Sequence, residues 1–230
     1  CLPFGFSPSV DAGDEVIFSI EGYEYLSSPR TAVGTPEMEV IEIVPDSAGK
    51  FQFTASADGV YWIEVLSITE SGPSIALLFP VIAGGTAADV FNGSIELTCS
   101  EAGSPSEILD ELNSIRASRG IPALESSITL DSLASIRAAD LAYSGSSSHF
   151  GLNTSLAALL PAGVTVYGEN IGRGKGYQEA WSMILISPFH FETCISDEYT
   201  HAGLAGSVDS SEYEWQLVLV QVFAAGEVEE

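Results

Sequence analysis

The hydrophobic period of this 230-residue chain changes once, near residue 100, and that change constrains its fold more than any other feature. Before it, short segments alternate apolar and polar residues as half-buried strands do. Val16–Ile20, Met38–Ile43, Phe51–Ala55, Val60–Val65, Ile75–Val81 and Val90–Leu97 read as strands. Turn formers separate them at 27–30, at 45–50 and at Asp58-Gly59. Short strands at this spacing, with no stretch of helical period, predict an antiparallel β-sandwich over residues 1–99.

After a polar hinge at 100–103 the period becomes helical. Ser104-Pro105-Ser106-Glu107 is a helix start, with Ser104 as cap, Pro105 at the first helical position and Glu107 completing a capping box. Ile108, Leu109, Leu112 and Ile115 then share one face, and Gly120 and Pro122 mark the exit. A second helix is expected from Asp131, with Leu133, Ile136 and Leu141 on its apolar stripe and Arg137 at the edge. A third is expected at Ser155–Leu160 and a fourth at Tyr177–Ile186, with strands at Ala202–Val208 and Trp215–Phe223. Helices followed by strands predict an α/β/α three-layer domain over residues 104–230.

Charge narrows the function classes. Lys plus Arg number 7 against 32 Asp plus Glu, a net charge of −25. A protein that tracks phosphates needs clustered basic groups, so nucleic acid is excluded as a partner. The acids are spread over both halves, 14 against 2 bases in residues 1–98 and 18 against 5 in 99–230. Such a surface repels itself, and divalent cations such as Ca²⁺ could bridge acidic faces in an extracellular assembly. The longest apolar runs, such as Ile75–Ala83, fall far short of the roughly 20 residues a membrane-spanning helix needs. The three cysteines, Cys1, Cys99 and Cys194, form no metal-binding pattern. Cys99 and Cys194 can pair with each other, which leaves Cys1 for a lipid anchor or an intermolecular bond.

All three histidines, His149, His190 and His201, lie in the second half. Imidazole can act as acid, base or neutral metal ligand near pH 7. His149 follows the small residues 144–148, His190 follows Ser187-Pro188-Phe189, and Gly168-Glu169-Asn170 stands between them. Glu169 can accept a hydrogen bond from an imidazole or join a metal's ligand shell. The alternative is that it fixes a loop while the histidines line a cavity without a ligand. No G-x-S-x-G context surrounds the serines.

The segment from about Glu107 to Phe223 resembles the CAP superfamily (cysteine-rich secretory proteins, antigen 5 and pathogenesis-related proteins) in its bacterial SCP-like form. The resemblance rests on six motifs in order. They are Leu112-Asn113…Arg116…Gly120-Ile121-Pro122…Leu124; Ser148-His149-Phe150; Gly168-Glu169-Asn170-Ile171; Ala180-Trp181 with Ser187-Pro188-Phe189-His190; Tyr199-Thr200…Gly203; and Gln221-Val222-Phe223. It implies a central cavity in which His149 and His190, with Glu169 beside them, hold a divalent metal such as Zn²⁺, while His201 is the less favoured ligand. The same three residues are the candidates for a metal-assisted or Glu/His hydrolase, the alternative to a binding or structural role. Two departures stand out: Phe191 occupies the position of a common Arg, and the second cavity glutamate has no match, Glu179 standing just ahead of Trp181. The Phe51–Val65 strand pair is weakly similar to bacterial immunoglobulin-like surface modules, which implies display or assembly for the first half. The expectation is a secreted or cell-surface protein that binds rather than catalyses.

Overall fold

The computed structural model describes residues 8–70, 72–94, 96, 99–145, 149, 158–208 and 217–228. The chain forms two compact units: residues 1–98 with Ile186–Phe189, and residues 99–185 with 190–230.

The first unit holds strands β1 (Ser9–Val10), β2 (Glu15–Ser19), β3 (Arg30–Gly34), β4 (Val40–Ile43), β5 (Lys50–Thr54), β6 (Gly59–Thr69) and β7 (Gly72–Ala83), then helix α1 (Ala87–Phe91). Five strands make one sheet in the order β1-β7-β6-β3-β4, antiparallel except for β1 beside β7; β2 and β5 pair separately. Odd-numbered residues of the long β6, Tyr61 and Ile63, join Val33 and Val81 in a core with Val16 and Phe53 from the small sheet. Alternation along β5 follows from this, because Phe51 and Phe53 are buried while Gln52 is exposed. The opposite face of β6 carries Glu64, which is 0% exposed. Its carboxylate accepts from Ser187 Oγ (2.8 and 2.9 Å) and from Phe189 N (2.9 Å). The strand expected at Val90–Leu97 is not found in the described part of that segment, which opens in α1. There Thr86 N and Oγ1 donate to Asp89 Oδ2, a capping box that starts a helix.

The second unit holds α2 (Pro105–Ser118), β8 (Glu125–Ser126), α3 (Ile128–Ser144), β9 (Gly163–Gly174), α4 (Tyr177–Ile186) except its last residue, α5 (Pro188–Cys194) from His190 onward, β10 (His201–Val208) and β11 (Leu217–Glu227). The sheet order is β8-β10-β11-β9, so β9 is an edge strand. Ser104 caps α2 through Glu107 N as its sequence requires, and Glu107 Oε2 reaches back to Gly103 N. Helix α3 covers one face of the sheet, packing Leu130, Leu133, Ala134, Ala138 and Leu141 on Ile171, Val218, Val220 and Val222. Gly203 permits this approach, since a Cβ there would lie 2.1 Å from the Leu130 backbone. On the other face α4 comes so close that a Cβ on Gly172 would meet Ala180 O at 2.4 Å. Helix, sheet and helix form three layers.

Arg116 ties the layers' loops together. Fully buried, it donates to the carbonyls of Pro122, Cys194, Ser196 and Tyr199. Of the helix expected at Ser155–Leu160, residues 155–157 lie outside those described and 158–160 form a turn, not a helix; Trp215 also lies outside. Among the described residues no helix is long and apolar enough to cross a membrane.

Candidate functional site

Helix α3 is turned differently from the stripe its sequence predicts. Its buried stripe runs through Leu133, Arg137 and Leu141, spaced four apart, while Ile136 is 51% exposed and Asp140 faces solvent. Arg137 is therefore inside, and it meets Glu169 from the edge strand β9, where Glu169 lies in register with Val222. Arg137 Nε donates to Glu169 Oε1 at 2.8 Å, and Glu169 Oε2 lies 2.8 Å from His149 Nδ1. The Glu169 side chain is 0% exposed and both its oxygens are engaged. Gly168-Glu169-Asn170 lies in the middle of a strand, not in the loop of the alternative reading.

His190, on α5, brings its ring centroid to 6.4 Å from that of His149, tilted by 56°. Burial, with the His149 imidazole adding to it, pushes the His190 pKa down to about 3, so its ring is neutral near pH 7. Asn170, next to Glu169, points to the opposite face of β9. Its Nδ2 lies 3.0 Å from His190 O, 3.2 Å from Cys194 Sγ and 3.1 Å from Gln221 Oε1. The glycine of the motif makes room for Tyr199, whose hydroxyl would lie 2.4 Å from a Cβ at Gly168. One tripeptide thus supplies a buried carboxylate, an anchor for α5 and a packing gap.

A family profile described as the cysteine-rich secretory protein family, CAP, matches residues 109–223. The chain belongs to that family. Among solved structures, an outer surface protein from Borrelia burgdorferi is 17% identical with a TM-score of 0.47, over 53% of this chain and 92% of that one. An extracellular protein containing an SCP domain from Bacillus anthracis is 16% identical at 0.43, over 79% and 66%. A cysteine-rich secretory protein from Staphylococcus aureus is 11% identical at 0.42, over 86% and 66%. No curated protein matches the sequence significantly.

Within the CAP unit the remaining candidates fall apart from this cluster. His201, the first residue of β10, has its Nδ1 2.8 Å from Thr200 Oγ1 and its Nε2 3.7 Å from Glu125. Glu179 accepts from Lys175 N at the start of α4. Phe191 is buried, with the Arg119 guanidinium 5.1 Å above its ring. Cys194 is a free, buried thiol whose pKa is raised by burial, so the Cys99–Cys194 pairing is not formed; Cys99 is in a disulfide. Among the described residues no three His, Cys, Asp or Glu side chains converge as a metal cage. Sequence reasoning did not single out Arg137 as functional. The available signal was an arginine four residues from a leucine on each side of one helical stripe, where a charge needs a partner.

Proposed function

We propose that this protein is an extracellular or cell-surface binding module whose CAP cavity takes a divalent metal such as Zn²⁺ on two imidazoles, His149 and His190. The observation that carries this reading is the engagement of both Glu169 oxygens beside two neighbouring imidazole rings. A carboxylate on the Nδ1 side of a histidine is the usual outer partner of a metal-bound imidazole. The two rings, with centroids 6.4 Å apart, are the imidazoles that would hold the metal. Glu169 then orients and does not ligate, which revises the three-ligand expectation. When bound, the metal would supply Lewis acidity.

The burial of Glu169, whose side chain is 0% exposed, disfavours a hydrolase that uses it as general base, because a base must come within hydrogen-bond reach of the substrate's proton. The disulfide at Cys99 supports an oxidising, extracellular setting. The first unit, two packed sheets with no histidine, is read as an immunoglobulin-like display or assembly module. Zinc titration by calorimetry at pH 7.5 tests the cavity: wild type should bind one equivalent and the His149→Ala/His190→Ala double variant none. A wild type without heat of binding, or a double variant that still binds, would refute the reading.

A further inference from the structure

A hydrogen bond between a carboxyl group and an imidazole can run in either direction, and the direction decides which ring nitrogen is left to bind. An ionised carboxylate only accepts, so the imidazole must carry its proton on the contacting nitrogen. A neutral carboxyl can donate, and then that nitrogen is the acceptor and the proton sits on the far one. The second arrangement blocks Nε2 of a histidine contacted through Nδ1. In this protein the contact is Glu169 Oε2 to His149 Nδ1 at 2.8 Å, inside a carboxylate side chain with 0% exposure.

The geometry points to Arg137 as the positioning residue behind this contact: by holding Glu169 Oε1 it aims Oε2 at His149 Nδ1, fixes His149 as the Nδ1–H form, and leaves Nε2 as the binding atom. This inference rests on the imidazole reading of the cavity proposed above and says how that site is kept ready. Three observations carry it. The guanidinium Nε lies 2.8 Å from Oε1, a charge-assisted contact. Arg137 occupies a core position of α3 between Leu133 and Leu141, where a guanidinium is costly unless it meets an anion. Glu169 projects from an edge strand toward α3, so arginine and imidazole hold separate oxygens of one carboxylate.

The test is ¹⁵N NMR of the imidazole nitrogens in the full, metal-free chain at pH 8, with Co²⁺ titration of the same samples. Wild-type His149 should show a protonated Nδ1 and a bare Nε2. Arg137→Gln should lose that pattern toward the Nε2–H form and weaken Co²⁺ binding roughly 10–100-fold, as loss of an outer-shell partner does. Arg137→Lys, which restores a cation, should recover the Nδ1–H pattern and bring Co²⁺ affinity back toward wild type. An Nε2–H His149 in wild type overturns the proposal without any variant, which covers the case of a glutamine variant that does not fold. An unchanged tautomer in a folded Arg137→Gln also overturns it. Loss of the metal reading looks different: wild type would show the Nδ1–H pattern and bind no Co²⁺, and the role of Arg137 would stand.

Discussion

Each unit of this protein buries a glutamate, and the two are held in opposite ways. Glu169 in the CAP unit meets a guanidinium on one oxygen and an imidazole on the other. Glu64 in the first unit meets a hydroxyl and a backbone N–H, both neutral. Its pKa is raised from 4.5 to about 7, chiefly by burial, with the Phe189 and Ser187 hydrogen bonds pulling the other way. The charged groups on its face of the sheet, Arg30 and Glu42, pair with each other at 2.9 Å. A buried carboxylate with a cation can serve as a fixed acceptor in a binding site. One held by neutral donors is a pH-dependent element of stability. The fold therefore supports different chemistry from the same residue type.

Removing the cation from the first arrangement should have the largest effect. Arg137→Ala leaves Glu169 buried without a counter-charge, and unfolding in urea should show a loss of about 3–5 kcal/mol at pH 7.5. A loss under about 1 kcal/mol would place this pair with exposed ion pairs and erase the contrast.

The second arrangement should show itself in pH dependence. Between pH 4.5 and about 7 the folded protein holds a proton on Glu64 that the unfolded chain has released. Stability is thus fullest below pH 4.5 and falls as pH rises through about 7, by on the order of 3 kcal/mol. Because other carboxylates titrate too, the readout is the difference between wild type and Glu64→Gln, in which this decline is absent. Parallel curves for the two proteins would show that Glu64 does not carry it.

The smallest effect concerns the hydroxyl. Ser187→Ala removes a donor that matters most to the ionised carboxylate, so it should cost about 2 kcal/mol at pH 8.5 and about 1 kcal/mol at pH 5. Equal costs at both pH values would mean that the hydroxyl does not discriminate between the two forms.

Much of the CAP unit was legible because its signals are local. Ser104, Pro105 and Glu107 start α2 where their capping chemistry requires, and α4 spans Tyr177–Ile186 as its apolar pattern implies. Strand β9 was not legible, because four of its twelve residues are glycine. Gly172 and Gly174 are needed for the close approach of α4, a tertiary demand that leaves a loop-like sequence. Strand β3 was missed for a different reason: Thr31, Ala32 and Val33 are all buried, so no alternation marks them. At the candidate site, His149 and Glu169 stood out by residue type and motif, and the structure joins them directly. Arg137 did not, because a lone charge on an apolar stripe reads as an edge residue until its partner from another element is known. The direction of a side chain on an edge strand depends on register, which no local pattern reports.

The claim at the centre of this account is that Glu169 acts on a metal through His149 and not as a ligand itself. Zinc affinity of Glu169→Gln measured beside His149→Ala tests it most directly. Binding abolished in His149→Ala and weakened about 10–100-fold in Glu169→Gln is the predicted result. Equal abolition in both would make Glu169 a ligand and contradict the account.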